Sequence, residues 1–258
     1  MITVRDVEQS LFDWAPYELA ASWDNVGHLI GEQHAEAKKV LVALDITEAV
    51  VQEAIDCGAD VIIAHHPVMN CAWHPVQRVR SDDTQGRMII AMIRNGISAI
   101  CMHTNLDATD GGVNDMLAGK LGLEALELLN DEKIGRIGTL KSEISLVDFA
   151  HFVVKSLGCN GLRYIDGGKP VHRVAIGGGA CSGYIAQAIA AGCDTFVTSD
   201  LKYNDFLDTK GINLIDAGHF PTENVVCPAV AEYLRKQFPE LTVVLSTAHS
   251  REVIQYCI

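Results

Sequence analysis

Short apolar runs alternate with stretches of helical periodicity along this chain, and several of the runs stop abruptly on polar residues. Val4, Val7, Leu11 and Trp14 recur at three- and four-residue spacing behind Thr3 and stop before Pro16, which predicts an amphipathic opening helix capped by Thr3. A loop of turn formers, Ser22-Trp23-Asp24-Asn25-Val26-Gly27-His28, leads to a short Leu29-Ile30-Gly31 element. Residues 39–44 read as a strand, Thr47 caps a helix that runs to Cys57 and ends at Gly58, and Val61-Ile62-Ile63-Ala64 reads as a second strand. That is a βαβ unit, and a helix over 86–95 with a strand over 97–101 repeats the theme. A further helix is expected over 110–120.

Residues 127–132 are polar with little periodicity, and a crossing between domains is expected there. From Ile134 the pattern resumes with a strand or hairpin and a helix from Ser145 to the Leu157-Gly158 stop. A strand over 174–176, the turn Gly177-Gly178-Gly179, a helix over 183–191 and a strand over 195–198 follow. A helix over 203–208, a strand over 212–215, a helix begun by Thr222 or Cys227 with Pro228 in its first turn, and a strand over 242–246 complete the series. Strands separated by helices predict an α/β fold with mostly parallel sheets covered by helices. Ala54-Ile55-Asp56-Cys57-Gly58-Ala59-Asp60 also aligns with Ala188-Ile189-Ala190-Ala191-Gly192-Cys193-Asp194 at an offset of 134 residues, placing His65 and His66 opposite Ser199 and Asp200. Duplication of one α/β unit accounts for this, with chance recurrence of helix, glycine and strand as the alternative.

The chemistry collects at strand ends. The run 61–64 stops on His65-His66-Pro67, the next strand on His103-Thr104-Asn105-Leu106-Asp107, and a later one on His219-Phe220-Pro221-Thr222-Glu223. Open α/β sheets gather ligands outside the carboxyl ends of their strands. Adjacent strand residues point to opposite faces, so His65 and His66 reach one centre only where the chain curls away from the sheet. Imidazoles with carboxylates suit Zn, Fe, Mn, Co or Ni, and this set suffices for two divalent ions. The triple glycine matches neither a dinucleotide fingerprint nor a phosphate-binding loop, and a tight turn is its expected role.

Composition narrows the partners. The 33 acidic residues against 20 basic ones give a net charge of -13, which disfavours binding to nucleic-acid phosphates or anionic membranes. Eight scattered cysteines without CxxC spacing fit reduced thiols in a cytoplasmic protein. No run approaches the ~18 apolar residues of a membrane span, and no export signal is expected at the amino terminus.

Trp23-Asp24-Asn25-Val26-Gly27, the His65-His66-Pro67 strand end, His103-Thr104-Asn105-Leu106-Asp107-Ala108, the glycines at 177–179 and Gly218-His219-Phe220-x-Thr222-Glu223 together resemble the GTP cyclohydrolase 1 type 2 homologues, the Nif-three-like family. The resemblance runs through nearly the whole chain. It implies a dinuclear metal centre ligated by His65, His66, Asp107, His219 and Glu223, with His103 close by but off the metal. It implies two similar, interleaved α/β units, the first completed by the carboxyl end, with the metal site in the cleft between them. Together with the crossing at 127–132 this gives residues 1–128 plus 214–258 as the first unit and 129–213 as the second. It further implies a hexamer built as a trimer of dimers. Where many relatives have Thr-Gly-Asp followed by Lys-Tyr-His, this chain has Thr198-Ser199-Asp200 followed by Lys202-Tyr203-Asn204, losing a glycine and a histidine. Phe220 stands where tyrosine or histidine is common, and the middle segment leaves no room for the domain inserted in longer relatives.

The function expected from this reading is metal-dependent hydrolysis of a small molecule, with His103 and Asp200 as the candidate groups for moving the proton. The family name points to opening of the imidazole ring of GTP with release of formate. Hydrolysis of other nucleotides or phosphoesters would use the same groups. The alternative class is a non-catalytic metal-binding or regulatory hexamer that stores metal or docks partners.

Overall fold

The computed structural model describes residues 1–70 and 75–257. The chain divides into two compact units: Met1–Thr109 with Cys227–Ser250, and Asp110–Val226 with the segment from Arg251 onward.

The first unit opens with α1 (Val4–Trp14), which starts on a capping box. Thr3 Oγ1 accepts from the Asp6 N–H, and the Asp6 carboxylate accepts from the Thr3 N–H at 2.8 Å. β1 (Gly27–Ile30), β2 (Lys39–Ala43), α2 (Glu48–Cys57), β3 (Val61–Ala64), α3 (Thr84–Arg94), β4 (Ser98–Cys101) and α4 (Thr104–Ala108) follow. In the second unit come α5 (Val113–Lys120), β5 (Glu124–Leu128), β6 (Arg136–Ile144), α6 (Leu146–Leu157), β7 (Arg163–Ile165), β8 (Val171–Ile176), α7 (Ile185–Ala190), β9 (Thr195–Thr198), α8 (Tyr203–Asp208), β10 (Asn213–Asp216) and α9 (His219–Glu223). The chain then returns to the first unit with α10 (Cys227–Gln237) and β11 (Thr242–Leu245).

The first sheet has the order β1-β4-β3-β2-β11, parallel except for the edge strand β1. Both of its faces are covered, which is why β3 and β4 contain no exposed position. Leu41, Ile62 and Ala99 pack with Val50, Ile89 and Met92 on one face. In the second unit the order is β5-β6-β8-β9-β10-β7, and only β8, β9 and β10 run parallel. Val174 and Ile176 join one core with Phe149 and Leu117, while the intervening Ala175 joins the other with Phe196 and Ala188.

The structure differs from the sequence reading in three places. Residues 127–132 are the end of a β-hairpin and not a domain crossing: the Asn130 side chain donates to Ile134 O at 2.7 Å and accepts from the Ile134 N–H at 3.1 Å. A connection that short permits only antiparallel pairing, so the second sheet is mixed where a mostly parallel one was expected. The boundaries 1–128 plus 214–258 and 129–213 also shift. The crossing falls after Thr109, and β10 with α9 belongs to the second unit because β10 pairs with β9 and β7.

The internal repeat extends to individual hydrogen bonds. Asp60 Oδ2 accepts from the N–H groups of Lys38 and Lys39 at 2.8 and 2.9 Å, and Asp194 Oδ2 accepts from His172 and Arg173 at 3.0 and 2.6 Å. Each aspartate thus seals the entry to the first parallel strand of its unit. Gly58 and Gly192 precede them in the left-handed conformation at φ 65 and 75, ending the helix in the same way. Asp60→Ala and Asp194→Ala, each stranding two backbone donors, should both lower stability by roughly 1–3 kcal/mol in urea unfolding. A near-neutral effect at one site and a large one at the other would argue against equivalent roles.

No helix among the described residues is long and apolar enough to cross a membrane.

Candidate metal centre

The residues singled out in the sequence fall into two groups, each inside one unit. In the first unit β3 stops at Ala64, and the N–H groups of both His65 and His66 donate to the single carbonyl of Leu44, at 3.1 and 3.0 Å. Sharing one acceptor turns the chain out of the ladder, which lets two consecutive side chains converge. With His103 from the end of β4, their ligand atoms lie within 4.8 Å of one another. Asp107 follows His103 by one turn of α4, and its Oδ1 is 3.7 Å from His65 Nε2. His65, His103 and Asp107 are all buried.

The outer nitrogens of these rings are held by oxygen. His65 Nδ1 meets the Met102 carbonyl at 2.9 Å, His66 Nδ1 meets Asp45 Oδ1 at 2.6 Å, and His103 Nδ1 meets the Asp24 carboxylate at 2.9 and 3.0 Å. A carbonyl or an ionised carboxylate only accepts, so each Nδ1 must carry the proton. In the neutral ring Nε2 then bears the lone pair, the tautomer that a metal-ligating histidine adopts. Asp24 also accepts from the N–H and hydroxyl of Thr104. Burial pushes its carboxyl up, yet the His103 and Thr104 hydrogen bonds outweigh that and hold it at about 2. Trp23 stands edge-on to His103 with ring centroids 5.9 Å apart.

The second group lies at the start of α9. His219 Nδ1 meets Asp200 Oδ2 at 2.6 Å, and His219 Nε2 meets Glu223 Oε2 at 2.9 Å. Burial disfavours the imidazolium, but the hydrogen bonds to the two carboxylates prevail and raise His219 to about 11. Asp200 takes φ 55, a conformation in which aspartate is among the more tolerated side chains. Its neighbour Ser199 buries a hydroxyl with no hydrogen-bond partner among the described residues. The glycine turn is not a phosphate cradle, because its N–H groups are already committed: Gly177 to Val197 O, Gly178 to Asn114 Oδ1 and Gly179 to Thr222 Oγ1. Its purpose is close approach. A Cβ on Gly179 would stand 2.1 Å from Glu223 Oε1.

Three residues of this surround escaped the sequence reading. Asp24 was visible as part of a turn-rich loop and of a family motif but was given no role, Asp45 was a polar residue just past a strand, and His249 gave no signal. His249 Nε2 meets Asp45 Oδ2 at 2.7 Å, so Asp45 joins His249 to His66. No cysteine enters the candidate metal groups among the described residues. Burial pushes the Cys159 and Cys193 thiols up to about 11, away from the thiolate that a metal would need.

These features define an α/β protein of two helix-covered sheets that carries imidazole and carboxylate groups able to hold metal. A family model described as Duf34/NIF3 (NGG1p interacting factor 3) matches residues 2–252, and the chain belongs to that family. A Clostridium perfringens protein named GTP cyclohydrolase 1 type 2 homolog is 32% identical over 243 residues, covering 91% of this chain and 92% of the relative. Among solved structures, a Staphylococcus aureus hypothetical protein aligns with a TM-score of 0.90 at 30% identity over 99% of both chains. A Bacillus cereus protein related to NIF3 aligns with a TM-score of 0.90 at 25% identity, over 99% of this chain and 100% of that one.

Proposed function

We propose that the protein is a hydrolase using two divalent metal ions, with a nucleotide such as GTP as its substrate class. The observation that carries this reading is the Nδ1 contact of four histidines, His65, His66, His103 and His219, each to an oxygen acceptor. A metal-ligating histidine almost always donates its other ring N–H to a carboxylate or carbonyl, and these four share that arrangement at Nδ1. His65, His66 and Asp107 from the first unit, with His219 and Glu223 from the second, are the ligands in this reading. Divalent ions held by them would lower the pKa of water and neutralise negative charge developing on the substrate. They would also offset the chain's net charge of -13 toward a phosphate. His103, fixed by Asp24, presents Nε2 for taking or returning the proton. Asp200 acts through His219, which it orients, more directly than on substrate.

Purified protein should contain up to two divalent ions per chain by elemental analysis, and the metal-loaded form should release formate from GTP or hydrolyse another member of a nucleotide panel. Light scattering on the same sample should show about six chains, the assembly implied by the family resemblance. Metal without turnover on any nucleotide would remove the hydrolase and leave a metal-binding protein. Protein that takes up no divalent ion would remove both.

A further inference from the structure

The carboxyl-terminal segment after β11 makes a contact that the ligand set does not require. Asp45 leaves β2 with its two carboxylate oxygens divided between two imidazoles, Oδ1 to His66 Nδ1 at 2.6 Å and Oδ2 to His249 Nε2 at 2.7 Å. His249 is itself held in place. Its N–H donates to Ser246 Oγ at 3.3 Å, and Glu53 of α2 accepts from Ser246 Oγ at 2.5 Å, from the N–H and hydroxyl of Thr247 at 2.9 and 2.6 Å, and from Ala248 N–H at 3.3 Å. Four donors on one carboxylate fix a three-residue turn. The histidine side chains are mostly buried, at 13% exposure for His249 and 14% for His66, while Asp45 is 36% exposed.

We propose that His249 is a positioning residue for metal binding, acting through Asp45 on His66. The physical argument is rotational. A carboxylate bonded only to His66 could turn about its Cβ–Cγ bond and release Nδ1, whereas one pinned on its second oxygen by His249 cannot. His66 is thereby held with Nε2 facing inward, and the negative charge on Asp45 raises the basicity of the ring as a ligand. Glu53 extends the same restraint to the segment that carries His249. The inference rests on the metal-binding reading above and adds to it a residue far away in sequence, on the last strand's exit.

The test compares cobalt(II) affinity and the visible spectrum of the cobalt-substituted protein for wild type, Asp45→Asn, His249→Ala and His249→Gln, with folding checked by circular dichroism. Outer partners of a ligating histidine are typically worth 10–100-fold in metal affinity. Asp45→Asn should fall in that range, His249→Ala should lose roughly 3–10-fold, and His249→Gln, which restores a donor to Asp45, should recover most of the loss. The ligand-field bands should shift in Asp45→Asn and His249→Ala and return in His249→Gln. Wild-type affinity and spectrum in a folded His249→Ala would overturn the inference, whatever Asp45→Asn does, while leaving the metal reading intact. A wild-type protein that binds no cobalt would instead remove the metal reading itself. If His249→Ala unfolds, Glu53→Gln provides a milder loosening of the same segment: a cobalt spectrum altered without loss of helicity supports the relay, and an unaltered spectrum counts against it.

Discussion

The His66→Ala variant is expected to lose at least about 100-fold in divalent-metal affinity and on the order of 10³-fold in any turnover the wild type shows. His66 lies between two other imidazoles, with centroids 5.0 Å from His65 and 5.5 Å from His103, and its Nδ1 is engaged by Asp45. Alanine removes a donor atom and leaves the Asp45 carboxylate with His249 as its remaining imidazole partner among these rings. The packing of β3 against α2 and α3 is made by Ile62 and Ala64, not by the ring. The variant should therefore fold. Competition against a chromophoric chelator measures the affinity, and wild-type affinity in the variant would exclude His66 from the ligand set.

Gly179→Ala should be a strongly damaging single-methyl change in the second unit. The residue sits at φ 65, where an L side chain is strained by roughly 1 kcal/mol, and the added Cβ would stand 2.1 Å from Glu223 Oε1 and 3.3 Å from His219 Nε2. Glu223 is 3% exposed, so it cannot swing into solvent without opening the turn. Opening it would also break the Gly179 N–H bond to Thr222 and the Gly178 N–H bond to Asn114. A loss of roughly 2–4 kcal/mol in urea unfolding is expected, together with weaker metal binding. Gly168→Ala supplies the control, since Gly168 has φ 78 but no atom within 4 Å of an added Cβ. Equal losses in the two variants would show that backbone strain alone, and not the approach to Glu223, fixes the glycine.

The candidate ligands were legible where they followed an apolar run. His65 and His66 end a strand of four buried residues, and His219 and Glu223 are spaced by one helical turn, so local pattern alone pointed to them. Asp24, Asp45 and His249 were not legible in this way. Asp24 is brought to His103 over 79 positions and Asp45 to His249 over 204, and neither pairing leaves a periodic trace. Asp200 was visible through the repeat, but its partner His219 was not, because the repeat aligns Asp200 with His66 and says nothing of what either touches.

Sequence by itself determined most of the helices and strands of both units, though not β5, β7, α4 or α9, because caps such as Thr3, Thr47 and Ser145 and stops such as Gly58 and Gly158 act on the few residues beside them. It also determined the family, through motifs spread over most of the chain. Only the tertiary structure decided that β5 and β6 form an antiparallel hairpin, that β10 and α9 belong to the second unit, and which oxygen holds each imidazole. Strand pairing and side-chain hydrogen bonds join residues brought together by burial of the whole sheet. Such contacts depend on how all the apolar faces pack at once, and no short stretch of sequence encodes that.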